Sequence, residues 1–258
     1  MSAGQTARRA QQSRLYDLSI TVGLIAYGLV HLLIAWIALQ LAWGKSNEEA
    51  SQQGALQELA GNAFGGVLLW VVAVGLFALV IWMVLDVVYG FGKASKKVSA
   101  AGRGAVYLVL GISAVKVAVG SGGSSTSSQR SMTGRLMEHP AGRVVVVAVG
   151  LVIIGIGVRQ IYKAMTKKFT EDLVGGVPRA TITLGRVGYA AKGVAFIIVG
   201  GLFAWAAISY DPAKAGGLDT ALRTLKGQPF GSILLTLMAV GIACFGVYCF
   251  FWSRHAKH

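Results

Sequence analysis

The chain has 258 residues, of which 55% are hydrophobic and 13% charged, with 35 glycines and a mean hydropathy of +0.63. A soluble domain carries about a quarter charged residues, so this composition excludes one and points to a polytopic membrane protein. Lys and Arg total 24 against 10 Asp and Glu; no nucleic-acid motif accompanies them, and in a membrane chain such an excess sets topology and meets anionic lipid at the cytoplasmic face.

Residues 1–19, with Arg8, Arg9 and Arg14, form a basic leader, read either as an amphipathic helix on the inner membrane surface or as a disordered tail. Six apolar blocks follow, roughly Ile20–Trp43, Phe64–Val88, Arg103–Val119, Val144–Ile161, Val187–Ile208 and Phe230–Trp252. A block of about twenty residues crosses a hydrocarbon core of about 30 Å as helix, so six spans are expected. The first block is too long for a cleaved signal segment. Basic residues concentrate in the leader, at Lys93–Arg103, at Lys163–Arg186 and in the tail, which predicts that both termini are cytoplasmic.

The blocks fall into three copies of one unit. In the first helix of each unit, AYGLVHLLIA (26–35), GRGAVYLVLG (102–111) and AKGVAFIIVGG (191–201) share a spacing, with Gly28, Gly104 and Gly193 followed seven residues later by Ala35, Gly111 and Gly200. The connecting segments also match: ALQELAGNAFG (55–65), MTGRLMEHPAG (132–142) and ALRTLKGQPFG (221–231). Their apolar spacing predicts a short amphipathic helix before each even-numbered span, and Pro140 and Pro229 are expected in the first turn of the span that follows. The units are 20–92, 99–169 and 183–258. The fold expected is all-α: six transmembrane helices as three parallel two-helix repeats in a pseudo-threefold bundle, forming one membrane domain. Gly75, Gly150, Gly155, Gly193, Gly200, Gly241 and Gly246 are expected to let the helices pack closely. Cys244 and Cys249 sit on different faces of the last helix and are expected to stay unbridged.

The GxxYLxxG-like spacing after a basic residue, the PFG-like loop ends and the leader ARRAQQSRLYDL resemble a bacterial membrane family, the domain of unknown function 1206. The likeness covers nearly the whole chain and is weakest in the first unit, where Tyr27 stands at the position of Arg103 and Lys192. It implies a six-span, three-repeat protein of the bacterial inner membrane and brings no catalytic residue.

Ionisable groups inside a span are costly and mark candidate sites. Lys116 aligns with Gln40 and Trp205. Together with His31 these are the candidate ligand or ion contacts, while the alternative for Lys116 is an ammonium snorkelling to the headgroups. His31 aligns with Tyr107 and Phe196 and reads either as a proton acceptor or as a packed aromatic bonded to a neighbouring helix. Asp86 is a candidate inter-repeat ion-pair partner of Arg103 or Lys192, and Glu48, Glu49 and Glu58 read as a solvated face. The chain contains no P-loop, dinucleotide fingerprint, HExxH, CxxC or nucleophile elbow, so no catalytic, cofactor or metal site is assigned and no cofactor is expected. Two functions follow as expectations. One is a non-enzymatic accessory or assembly partner of another membrane protein, or a self-associating one. The other is a small pore, carrier or lipid-binding protein, with an anion or headgroup site near the pseudo-threefold axis.

Overall fold

The structure is a computed structural model that describes residues 3–44, 49–61, 65–89, 94–173 and 177–255. Among these residues it is all-helical, with no β-strand. Six helices are long: α1 (Ala3–Ala42), α3 (Gly65–Tyr89), α4 (Ala94–Ala118), α6 (Pro140–Thr166), α7 (Arg179–Ile208) and α9 (Gly231–His255). Three are short: α2 (Gln52–Ala60), α5 (Ser125–Met137) and α8 (Leu218–Lys226), each directly before an even-numbered long helix, as the sequence predicts. Four helices are long and apolar enough to cross a membrane, namely Thr21–Ala42 of α1, α6, α7 and α9. The apolar stretches of α3 and α4 are shorter, Gly65–Ile81 and Gly104–Ala118. By length and composition these are the helices of a membrane protein.

The leader departs from expectation. It is neither a separate surface helix nor a tail: α1 runs unbroken from Ala3 through 40 residues. At 1.5 Å per residue that is about 60 Å, twice a hydrocarbon core, so the half bearing Arg8, Arg9 and Arg14 continues the axis of the apolar half. No proline or glycine pair interrupts it there.

The heaviest packing joins α6 to α7, α1 to α9 and α3 to α4; α7–α9 and α1–α3 are lighter. Each heavy pair sets the second long helix of one repeat against the first long helix of the next, and the last repeat returns to the first. Helices without a hydrophobic force between them associate where small residues let backbones touch, and two of the three pairs do this reciprocally. A Cβ on Gly193 would lie 2.7 Å from the carbonyl oxygen of Gly157, and one on Gly157 2.7 Å from that of Gly193. Farther along the same crossing, Gly150 and Gly200 face each other at 2.7 and 2.5 Å. Between α1 and α9, Gly28 and Gly246 stand at 2.8 and 2.9 Å. In the third pair side chains stand in: Gly104 meets Met83 Cβ at 3.1 Å and Gly111 meets the Phe77 ring at 3.3 Å.

This corrects part of the sequence expectation. Gly155 faces open space and Gly75 makes only an ordinary 3.6 Å contact with Val22. The working glycine of α6 is Gly157, which follows the turn glycine Gly142 at the spacing of Gly246 after Gly231. A match by Gly–Gly spacing alone had pointed to the wrong face of the helix.

The turn glycines themselves have a steric cause. A Cβ on Gly65, Gly142 or Gly231 would overlap the carbonyl oxygen of Leu59, Leu136 or Lys226, respectively, on the short helix just before it. The chain can fold back from short helix into span only where that side chain is missing. Pro140 occupies the first turn of α6 as expected. Pro229 does not do so for α9: it lies in the turn ahead of the helix, followed by Phe230 at φ 60°. The far ends of the odd spans also correspond. Gly120 at φ 75° closes α4 in a Schellman pattern, its N–H donating to Val117 O at 3.0 Å and that of Ser121 to Lys116 O at 2.8 Å. Gly44 (φ 71°) stands at the same place after α1, and after α7 the left-handed residue is Tyr210, whose ring lies 3.8 Å under the Arg143 guanidinium.

Candidate functional site

Two polar constellations stand out, one among the spans and one on the face of the short helices. The first is built by α1, α7 and α9. Lys192, on α7, donates from Nζ to the Tyr27 hydroxyl on α1 at 2.8 Å. The same Nζ lies 3.8 Å from the centroid of Phe245, on α9, and 4.9 Å from that of Tyr27. An ammonium over an aromatic face is held by the ring quadrupole, more strongly where water is excluded. One turn beyond Tyr27, His31 is 5% exposed. Its Nδ1 is 2.8 Å from the Tyr27 carbonyl oxygen; a carbonyl only accepts, so Nδ1 carries the hydrogen and the neutral ring keeps its lone pair on Nε2. The imidazole packs edge-on against Tyr27 at 4.3 Å and tilted against Phe245 at 4.9 Å.

His31 is therefore a packed aromatic bonded within its own helix, not to a neighbouring one. Its ring partners are Tyr27 and Phe245 rather than the aligned Tyr107 and Phe196. Tyr27, the residue that departs from the basic collar, is the acceptor of the third repeat's collar lysine. Equivalent positions of two repeats meet here because α9 bridges α1 and α7. Lys192 thus has a hydroxyl and two rings as neighbours. The side chains of Asp86 and Arg103, its candidate ion-pair companions, lie outside the described residues. Below this level Phe169 is fully buried, stacked on Tyr189 at 5.2 Å, with Tyr248 Oη donating to its carbonyl at 3.4 Å. Gly185 makes room for that ring, where a Cβ would overlap it. Cys244 and Cys249 are free thiols.

The four candidate contact residues differ in exposure. His31 is buried, Gln40 half-buried, Lys116 exposed on α4 and Trp205 53% exposed near the end of α7, with Lys214 Nζ 4.9 Å above its ring.

The second constellation was missed by sequence reasoning, which read Glu48, Glu49 and Glu58 as a solvated face and passed over Asp219. Asp219 of α8 is 5% exposed. It accepts from the Ala50 N–H at 2.9 Å and from Arg223 Nε at 3.1 and 2.9 Å. Glu49 accepts from the Thr126 N–H at 3.0 Å and its hydroxyl at 2.8 Å; Gln53 and Gln57 both donate to the Gly123 carbonyl. The first repeat's connection is thereby bonded to the second's through Glu49 and to the third's through Asp219. Glu48 lies outside the described residues. One signal was available: Asp219 and Arg223 stand four apart on a strongly amphipathic segment, the spacing of a helical ion pair. Two open cavities border this network. One, of ≈ 360 Å³, is lined by Arg130, Trp205, Lys214, Thr220 and Arg223 among others. The other, of ≈ 470 Å³, lies across Arg130 and Arg223 and includes Glu49 and Asp219. Among the described residues no group of three His, Cys, Asp or Glu is placed to hold a metal ion.

Comparison with known proteins agrees with the repeat. The profile of the domain of unknown function 1206 matches three times, over residues 22–90, 98–167 and 187–256. The chain is similar to the uncharacterized protein YxxB of Bacillus subtilis (strain 168), 29% identical over an alignment of 239 residues, with 88% of this chain and 86% of that one covered. No solved structure matches significantly. With its profile repeated over most of the length, the protein belongs to the family of the domain of unknown function 1206.

Proposed function

We propose that the chain is a non-enzymatic six-span protein of the bacterial inner membrane, with cytoplasmic termini, that acts as an accessory or assembly partner of another membrane protein. Its three hairpins are arranged about a pseudo-threefold axis, each closing on the next. The observation that carries this reading is the reciprocal glycine–carbonyl contact at Gly157–Gly193, Gly150–Gly200 and Gly28–Gly246. Helices held backbone to backbone are rigid and leave little room between them for a solute. A pore or carrier at Gln40, Lys116, Trp205 and His31 would need those side chains in one hydrated place, whereas Lys116 is exposed and His31 lies beneath Tyr27 and Phe245.

What remains for function is the outside of the bundle. The α6 helix packs chiefly on α7, and Val144, Leu151, Val152 and Val158 stand exposed along it. A photo-crosslinking residue at Val152, in the full chain in its native membrane, is expected to give one adduct of defined mass with a second membrane protein or a second copy. A crosslinker at the buried Ala239 gives none. Only lipid adducts from Val152, Leu151 and Val158 alike would sink the accessory role.

A further inference from the structure

The ≈ 360 Å³ cavity between α5, α7 and α8 has the chemistry of an anion site. Its lining includes three cationic side chains, Arg130, Lys214 and Arg223, and no acidic one. The carboxylates nearby are already engaged. Asp219 holds Arg223 at 2.9 Å, Asp211 approaches Lys214 at 3.8 Å, and Glu49, across Arg130 in the adjoining cavity, accepts from Thr126. Arg130 has no partner among the described residues and borders both cavities. The depth is informative too. Trp205 lines the cavity three residues before the end of α7, and tryptophan at a span's end sits at headgroup level.

We infer that this cavity binds a phosphate group, the guanidinium of Arg130 and the ammonium of Lys214 taking its oxygens while Arg223 stays anchored on Asp219. Guanidinium forks match phosphate geometry, and the volume exceeds that of a phosphate alone, leaving space for a diester with a small polar group. The site differs from the four-residue one the sequence suggested, sharing with it only Trp205, and it does not depend on the accessory role.

Phosphate at that depth comes from a phospholipid headgroup or from solution, and one experiment separates the sources. The full chain in nanodiscs of phosphatidylglycerol and phosphatidylcholine is released for native mass spectrometry, and in parallel its thermal unfolding is followed with inorganic phosphate against chloride at equal ionic strength. Retention of phosphatidylglycerol with no phosphate effect assigns a lipid site; stabilisation by inorganic phosphate assigns a soluble one. In either case the double variant Arg130→Gln/Lys214→Gln is expected to lose binding at least tenfold. Arg130→Lys should keep part of it, and Arg159→Gln, at the other end of α6, should keep all. Folding is checked by the unliganded melt, which Arg130→Gln alone should leave unchanged. Equal binding by wild type and double variant, or no binding of either probe, overturns the proposal.

Discussion

The α6–α7 and α3–α4 pairs do the same job in different repeats by different means. In α6–α7, glycines at both crossing levels bring backbone against backbone, with carbonyl oxygens where a Cβ would be. In α3–α4 the glycines are on α4 only, and Met83 and Phe77 of α3 fill the notches; at the position of Gly157 and Gly246, fifteen residues after the turn glycine, α3 has Val80. A backbone contact has no rotamer to adjust, whereas the Phe77 ring edge over Gly111 can yield by a few tenths of an ångström. The same interface is therefore rigid in one repeat and tolerant in another.

The sharpest break would be Gly157→Leu. Its side chain cannot avoid the Gly193 carbonyl, so α6 and α7 must separate, at a cost of about 3 kcal/mol. Unfolding in mixed micelles measures it, and Gly28→Leu, at the repeat-equivalent crossing of α1 and α9, should match. A large effect at one and none at the other would end the equivalence. On the tolerant side, Phe77→Ala empties the notch over Gly111. A loss of about 1–2 kcal/mol is expected, below that of a soluble core because Phe77 is only part-buried and lipid competes for the space. Gly104→Ala puts a Cβ 3.1 Å from Met83 Cβ, an atom carried by the α3 backbone, so the helices must part by a few tenths of an ångström. It should cost less than about 1 kcal/mol, since alanine's helix propensity offsets part of the crowding. The smallest effect has the opposite sign: Gly155→Ala meets nothing within 4 Å and should raise stability by up to about 1 kcal/mol. The same melts read both variants, and a marked loss at Gly155 would mean that an unseen partner packs there.

The comparison also explains why parts of the molecule were legible and parts were not. Gly193 and Gly200 were readable as notches because their copies recur in a fixed frame after a basic residue. Gly157 was not, because spacing within a helix does not say which face a partner covers. On the short-helix side, Glu49 looked like a solvent-facing charge and Asp219 drew no attention, because the groups that donate to them, on Thr126 and Ala50, lie 77 and 169 residues away in sequence.

By itself the sequence determined the helical class, the threefold repetition and the short helices before α3, α6 and α9, since each rests on local periodicity or on a motif recurring within one chain. Only the tertiary structure decided that Tyr27 receives Lys192, that His31 turns to its own helix, that Gly157 is the crossing glycine, and that Arg130, Lys214 and Arg223 border one cavity. Those are relations between distant segments, fixed by which helix faces meet, and the pattern within a single helix constrains a face only when the neighbouring helix is known.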